Sequence, residues 1–438
     1  MRARIAAPLL LSVLIACTTT PSGTTPAETR PGDVVVLGTV DGSLVVSSAS
    51  GSVLARDAGE VSAPDGSRWY STRREGGSTT LETRDPVTGA TLATVPIDEG
   101  LEVQVASISG EAVALMPPGR RSDGRKLAPP HASTTIVVAD PTGAGQVETY
   151  RLDGNYEPEA FSVDDQRLFL IQYLPALAPT VYRVTFLDLA SSQVRPVFGR
   201  FKTPPERMPG IRLTQVFDAA TDQLYTLYTN RPKAGYAGNW DGRGYGDAGG
   251  AGYGGGGGAG SERDRGPEVS FVHVLNLRDG WAFCAGLPRA LWGRPASAQA
   301  MAPSPDGRHL YIVDSTLGIV ADMNTRTLRI RDTVHLDLTG SGGTRTSAVT
   351  SVDGSRLFVG SAMDGAAVYE IDAATMEIVD RWSMASDVGA LALSADGARL
   401  YAALEDRIAV LDAATGEQLT SLGFGGASIL HVATPAAA

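Results

Sequence analysis

The decapeptide SPDGRHLYIV, Ser304 to Val313, returns as SVDGSRLFVG from Ser351 and as SADGARLYAA from Ser394. Self-similarity at a fixed spacing of about forty-five residues marks a repeat architecture, and the composition of this repeat is all β. Each copy reads as two strands joined by a tight turn. Asp306-Gly307, Asp353-Gly354 and Asp396-Gly397 supply the turn, because Gly accepts the positive φ that such turns require. After the turn comes His309, Arg356 or Arg399, expected to be exposed, then Leu, an aromatic residue, and small or β-branched residues. That order describes a strand with one buried face. Weaker copies stand at Pro64–Gly66, at Ser162–Asp165 before Arg167, and at Asp222–Tyr225.

A second signature follows each copy: an Asp or Asn closes a strand and opens a short turn. It is read at Asp85, Asp140, Asp188, Asn276, Asp322, Asp372 and Asp412. An Asx side chain accepts hydrogen bonds from turn amides, which suits such corners. The intervals between these positions match one four-stranded unit each. One is doubled, and it contains a Gly-rich insertion. Seven complete units result. The segments VVVLGT, GSLVVSS and SVLARD, ending at Asp57, supply three further strands, and ASILHVA (427–433) supplies the missing first one. The expected fold is therefore a single all-β propeller of eight four-stranded blades over 33–435, its ring closed by a blade shared between the two ends of the chain. Sharing a blade removes exposed sheet edges. Seven blades with the N-terminal strands as decoration is the alternative.

These motifs resemble the YVTN-type, quinoprotein-like and lactonase-like β-propeller repeat, clearly over 300–425 and in phase over 33–290. The resemblance implies the fold and is nearly silent about activity. In the lactonases a His precedes Pro-x-Gly and Asn-Glu follows the strand. Here Ser304 and Asp314-Ser315 stand at those places. Trp-docking motifs of the quinone-dependent dehydrogenases are absent.

Residues 1–16 read as a signal peptide: Arg2 and Arg4, an apolar run from Leu9 to Ile15 too short to span a bilayer, then the lipobox sequence LIAC. In the lipoprotein pattern that this matches, Cys17 receives the lipid. A Thr/Pro-rich tether follows over 17–32, and 436–438 are a tail. The expected location is the bacterial cell envelope, on the extracytoplasmic side of the membrane. Cys284 is then the remaining thiol, in an apolar setting that suits a packed small residue. The whole chain has 37 basic and 48 acidic side chains, a net charge of −11, which opposes nucleic acid as a partner.

Three neighbouring blades lengthen the loop between their second and third strands. Blade 3 does so with PPGRRSDGRKLAPPHAS (117–133), blade 4 with YLPALAPT (173–180), and blade 5 with a Gly-rich stretch over 230–268, expected to be disordered. Long loops on a rigid scaffold are where function concentrates. The blade 3 loop offers Arg120, Arg121, Arg125, Lys126 and His131 for an anionic group or a solvated surface. The blade 5 loop offers Tyr236, Trp240, Arg243, Tyr245 and Tyr253 as contact area for protein or sugar. The five histidines, His131, His273, His309, His335 and His431, have no metal-site spacing, and no nucleophile elbow is present. No catalytic residue, metal or cofactor is assigned. The expected function is a monomeric, non-catalytic binding or scaffolding module that uses the long-loop face, its partner an envelope protein or a carbohydrate. A lactonase-like or other hydrolase or lyase site in the central channel is the alternative.

Overall fold

The computed structural model describes residues 32–39, 42–56, 61–75, 77–98, 100–119, 127–143, 146–204, 207–208, 210–229, 270–292, 299–315, 317–337, 346–361 and 365–433. It is a ring of eight antiparallel blades of four strands each. Blade 1 joins Ser428–Ala433 to Val34–Thr39, Gly42–Ser47 and Val53–Arg56. Blade 2 spans Val61–Ile97, blade 3 Glu102–Asp153, blade 4 Asn155–Pro196 and blade 5 Ile211–Gly286. Blade 6 spans Ala300–His335, blade 7 Thr346–Ser383 and blade 8 Ala390–Leu422. The seven-bladed alternative is excluded. Within a blade the strands A to D run alternately up and down, so the A–B and C–D turns share one face of the ring. The B–C loops and D–A connections share the other. Blade 5 adds a two-residue strand, Phe198–Gly199, parallel to Trp281 and Ala282 at its outer edge.

Hydrogen bonds explain why the repeat motif is so regular. Ser304, Ser351 and Ser394 each donate through Oγ to Oδ1 of the Asp two residues on, at 2.6 Å in all three copies. The same Oγ accepts the backbone N–H of His309, Arg356 or Arg399 at 2.9–3.0 Å. The following glycines take φ of 64°, 72° and 69°. Blade 4 keeps the serine device at Ser162 and Asp164, with Asp165 at φ 54° in place of Gly.

The C–D corners follow the expected Asx logic. Asp372 Oδ1 accepts the N–H groups of Ala374 and Thr375, and Asp412 Oδ1 those of Ala414 and Thr415. Blade 6 corrects the sequence assignment. There the corner residue is Asn324, whose Oδ1 accepts Thr327 N–H at 2.8 Å. Asp322 lies two residues earlier in the strand and receives the His309 ring at 2.9 Å. The expectation of exposed residues after the A–B turn is also corrected. Arg356 bridges Glu370 and Asp372 across its own blade, and Arg399 side-chain exposure is only 15%.

Blade-to-blade packing is apolar and tight. Between blades 6 and 7, Tyr311, Val313 and Val320 meet Leu357, Val359 and Tyr369. Between blades 8 and 1, Tyr401, Ile408 and Val410 meet Val35, Leu37 and Val432. Closure rests on Val34–Thr39 as the central joint. That strand pairs with Gly42–Ser47 on one side and with Ser428–Ala433 on the other. Just before it, fully buried Asp33 receives Arg399 Nε at 2.6 Å, Arg399 Nη2 at 2.9 Å and the Tyr401 hydroxyl at 2.5 Å. A chain truncated after Gly426 is expected to lose its single cooperative urea transition. It would uncover the blade 8 and blade 1 clusters and leave one edge of the Val34–Thr39 strand unpaired. A truncate with the parental midpoint would refute the shared-blade account.

Candidate functional site

On the long-loop face the loops of blades 3 and 4 meet over Asn155, the first residue of the A strand of blade 4. Its buried side chain donates through Nδ2 to Pro129 O at 2.8 Å and to Ala176 O at 3.2 Å. It thereby ties the end of the blade 3 loop to the blade 4 loop. His131 N–H donates to the same Ala176 carbonyl at 3.1 Å, and Gly154 N–H to Ala132 O at 2.8 Å. Ala128, buried, packs into the cluster that contains Tyr173, Tyr182 and Tyr228. Leu177 stands at the tip of the blade 4 loop, 66% exposed. Among the described residues buried Asn155 Oδ1 has no hydrogen-bond partner.

Of the site residues named from sequence, His131 is described, half-buried where the two loops meet. Arg120, Arg121, Arg125, Lys126, Tyr236, Trp240, Arg243, Tyr245, Tyr253 and the lipidation candidate Cys17 lie outside the described residues. The strands that flank the two larger insertions are Val113–Met116 and Ser133–Ala139 in blade 3, and Gln223–Thr229 and Ser270–Asn276 in blade 5. Both insertions therefore leave from the B–C face.

Beneath these loops lies a polar seam between blades 4 and 5 that sequence reading missed. Arg212, on the A strand of blade 5, donates through Nη1 to Glu159 Oε2 at 2.9 Å and through Nη2 to Glu157 Oε1 at 3.1 Å. The remaining carboxylate oxygens are also engaged. Tyr173 donates to Glu157 Oε2 at 2.7 Å, and Gln215 to Glu159 Oε1 at 2.7 Å. Burial works against the charge on Arg212, and the carboxylates of Glu159 and Glu157 outweigh it, so the guanidinium is held charged. An Asn-Tyr-Glu-Pro-Glu run opening an A strand, answered by Arg in the next A strand, was the available signal. It is weak, because nothing local states which way those side chains point.

An aromatic column continues the seam outward. Tyr173, Tyr182 and Tyr228 are linked by centroid separations of 6.0 and 5.3 Å, and Tyr228 stacks on Phe271 at 5.4 Å. Burial pushes the hydroxyls of Tyr182 and Tyr228 well above their ordinary range, so both stay neutral donors. His273 meets the edge of Tyr228 and pairs across the sheet with Cys284, which is half-buried against the same cluster. Carboxylates this fully committed have no role as a poised acid–base pair. The seam acts as a strut that fixes the loop-bearing blades.

The class of protein defined by this ring is the eight-bladed β-propeller. No family model matches the chain, and no curated protein matches its sequence. Among solved structures it is similar to apo AztD from Citrobacter koseri, with 11% identity, 92% of this chain and 97% of that one covered, and a TM-score of 0.53. Hydrazine synthase from Kuenenia stuttgartiensis aligns at 15% identity over 84% of this chain and 99% of that one, with a TM-score of 0.40. At such identities the likeness to AztD shows the fold alone.

The seam has a pH signature. Burial lowers His273 from an ordinary 6.5 to about 4, and His431 is lowered for the same first reason. A histidine depressed in the folded state contributes its full stability above the unfolded pKa and loses it as pH falls through 6.5 toward 4. The His273 share is about 3 kcal/mol, at about 1.4 kcal/mol per unit. Urea midpoints measured from pH 7.5 to 4 should fall in the parent and fall less steeply in His273→Leu. Identical slopes would contradict the assignment.

Proposed function

We propose that this chain is a lipid-anchored, extracytoplasmic binding module that engages an envelope protein through the B–C face of blades 3 to 5. The observation that carries the reading is the Asn155 tie. It joins the lengthened loops of blades 3 and 4 to each other, beside a strut that fixes blade 4 against blade 5. A surface ordered before binding loses less entropy on association. Basic and aromatic residues in the two larger insertions supply the contact types that dominate interfaces. The non-catalytic reading is supported by the seam, where both A-strand carboxylates are fully occupied by structural donors.

Photo-crosslinkers at Arg121 and Tyr245, with Asp372 on the opposite face as control, test the proposal in cells. A protein adduct at the first two positions and none at Asp372 is the expected result. Adducts of equal yield on both faces would refute a dedicated face, and their absence would favour a carbohydrate. Deleting 235–266 should abolish the adduct partner and leave folding stability within about 1 kcal/mol, since loop length costs little. The anchor is tested separately. Cys17→Ser should move the protein from the membrane pellet to the soluble fraction, and an unchanged pellet would rule out lipid attachment at Cys17.

A further inference from the structure

A second part of the same face, on blades 7 and 8, is already shaped for a small ligand. A cleft of about 400 Å³ opens between the D–A connection of blade 7 and the B–C turn of blade 8. That volume lies within the usual span of small-molecule sites. Its walls are fixed by backbone hydrogen bonds. Met384 N–H donates to Ala366 O at 2.8 Å, Val388 N–H to Ser361 O at 3.2 Å, and Gly389 N–H to Ala403 O at 2.8 Å. Across the cleft, Glu405 N–H donates to Ser386 Oγ at 3.1 Å, so the two blades' loops are joined.

The lining divides by charge. On one side Arg381 lies over the Tyr369 ring, 5.8 Å from its centroid. It donates through Nη2 to Gly365 O at 2.8 Å, through Nη1 to Ser383 Oγ at 3.3 Å and through Nε to the Tyr369 hydroxyl at 3.4 Å. A guanidinium has five N–H donors. Three hold it against its own blade, and two remain for a ligand. On the other side Glu405 brings a carboxylate to the same cleft. A stacked, oriented guanidinium suits a carboxylate, because its planar fork loses little freedom on binding. The acidic group suits an ammonium.

From this arrangement we propose that the blade 7–8 cleft binds a zwitterion of α-amino-acid chemistry: a free amino acid or a short peptide with both termini uncapped. Arg381 takes the carboxylate, and Glu405 takes the ammonium. The site does not depend on the long insertions of blades 3 to 5, so it stands or falls apart from the protein-docking face.

The test is calorimetric titration of the detergent-solubilised full chain with L-alanyl-L-alanine, its N-acetyl form and its C-terminal amide. The dipeptide should bind saturably, and each capped form at least about tenfold more weakly, the usual loss for one charge-assisted contact. Arg381→Gln should make the dipeptide and its amide bind alike. Glu405→Gln should make the dipeptide and its N-acetyl form bind alike. Deletion of 235–266 should change none of these values. No saturable heat with any of the three compounds, or equal binding of all three by the parent chain, would overturn the proposal. The parent's discrimination among the compounds tests it even where a variant folds poorly.

Discussion

The ring depends on one ion pair and one strand pairing between the two ends of the chain. Asp33 and Arg399 are 366 residues apart, and they meet with two hydrogen bonds in an almost dry joint. Every other blade is a local hairpin series that pairs within itself. Blade 1 alone must wait for the last strand, Ser428–Ala433, to find Val34–Thr39. A buried ion pair adds little net stability over an apolar pair of similar shape, yet losing one partner costs about 3–5 kcal/mol. The joint therefore works as a selector. Only the register that brings Asp33 beneath Arg399 and Tyr401 avoids a stranded buried charge, and that register also buries Val35, Leu37 and Val432 against blade 8.

The same physics reappears in the seam of blades 4 and 5. Most interfaces around the ring are sealed by aliphatic and aromatic side chains, which accept small shifts in blade angle. Two carboxylates shared by one guanidinium do not, since each oxygen has a donor at a fixed place. The seam thus gives up adaptability where the longest loops emerge. On the other side of blade 4, Asn155 holds the ends of the blade 3 and blade 4 loops by its own hydrogen bonds.

The fold was legible because its decisive bonds are local. The serine, aspartate and glycine of each A–B turn satisfy one another within five residues, so the device survives as a motif in Ser304, Ser351 and Ser394. Even the one misplaced corner has a local cause. Asp322 and Asn324 are two apart, on the same side of one strand, and only the position of the turn tells them apart. The seam was not legible, because Glu157 and Arg212 are 55 residues apart and meet through the relative placement of two blades. The blade 7–8 cleft was hidden for a similar reason. Arg381, Asp387 and Glu405 belong to a strand, a connection and a turn that no sequence spacing relates.

The two faces of the ring differ in what their polar groups have left to offer. On the A–B and C–D side serine and turn hydrogen bonds hold Asp353 and Asp372 below the ordinary carboxylate range, while burial raises Asp165 and Asp218 above it. Asp353 and Asp372 stay ionised and turned inward on their own turns. On the opposite face the loops are freed from turn duty. Their polar groups are either locked into platforms, as at Asn155, or left with donors to spare, as at Arg381. Recognition needs groups that are positioned and not yet satisfied. In this ring that combination arises where blade-to-blade bonds fix the backbone and the side chains are not needed to make the turn.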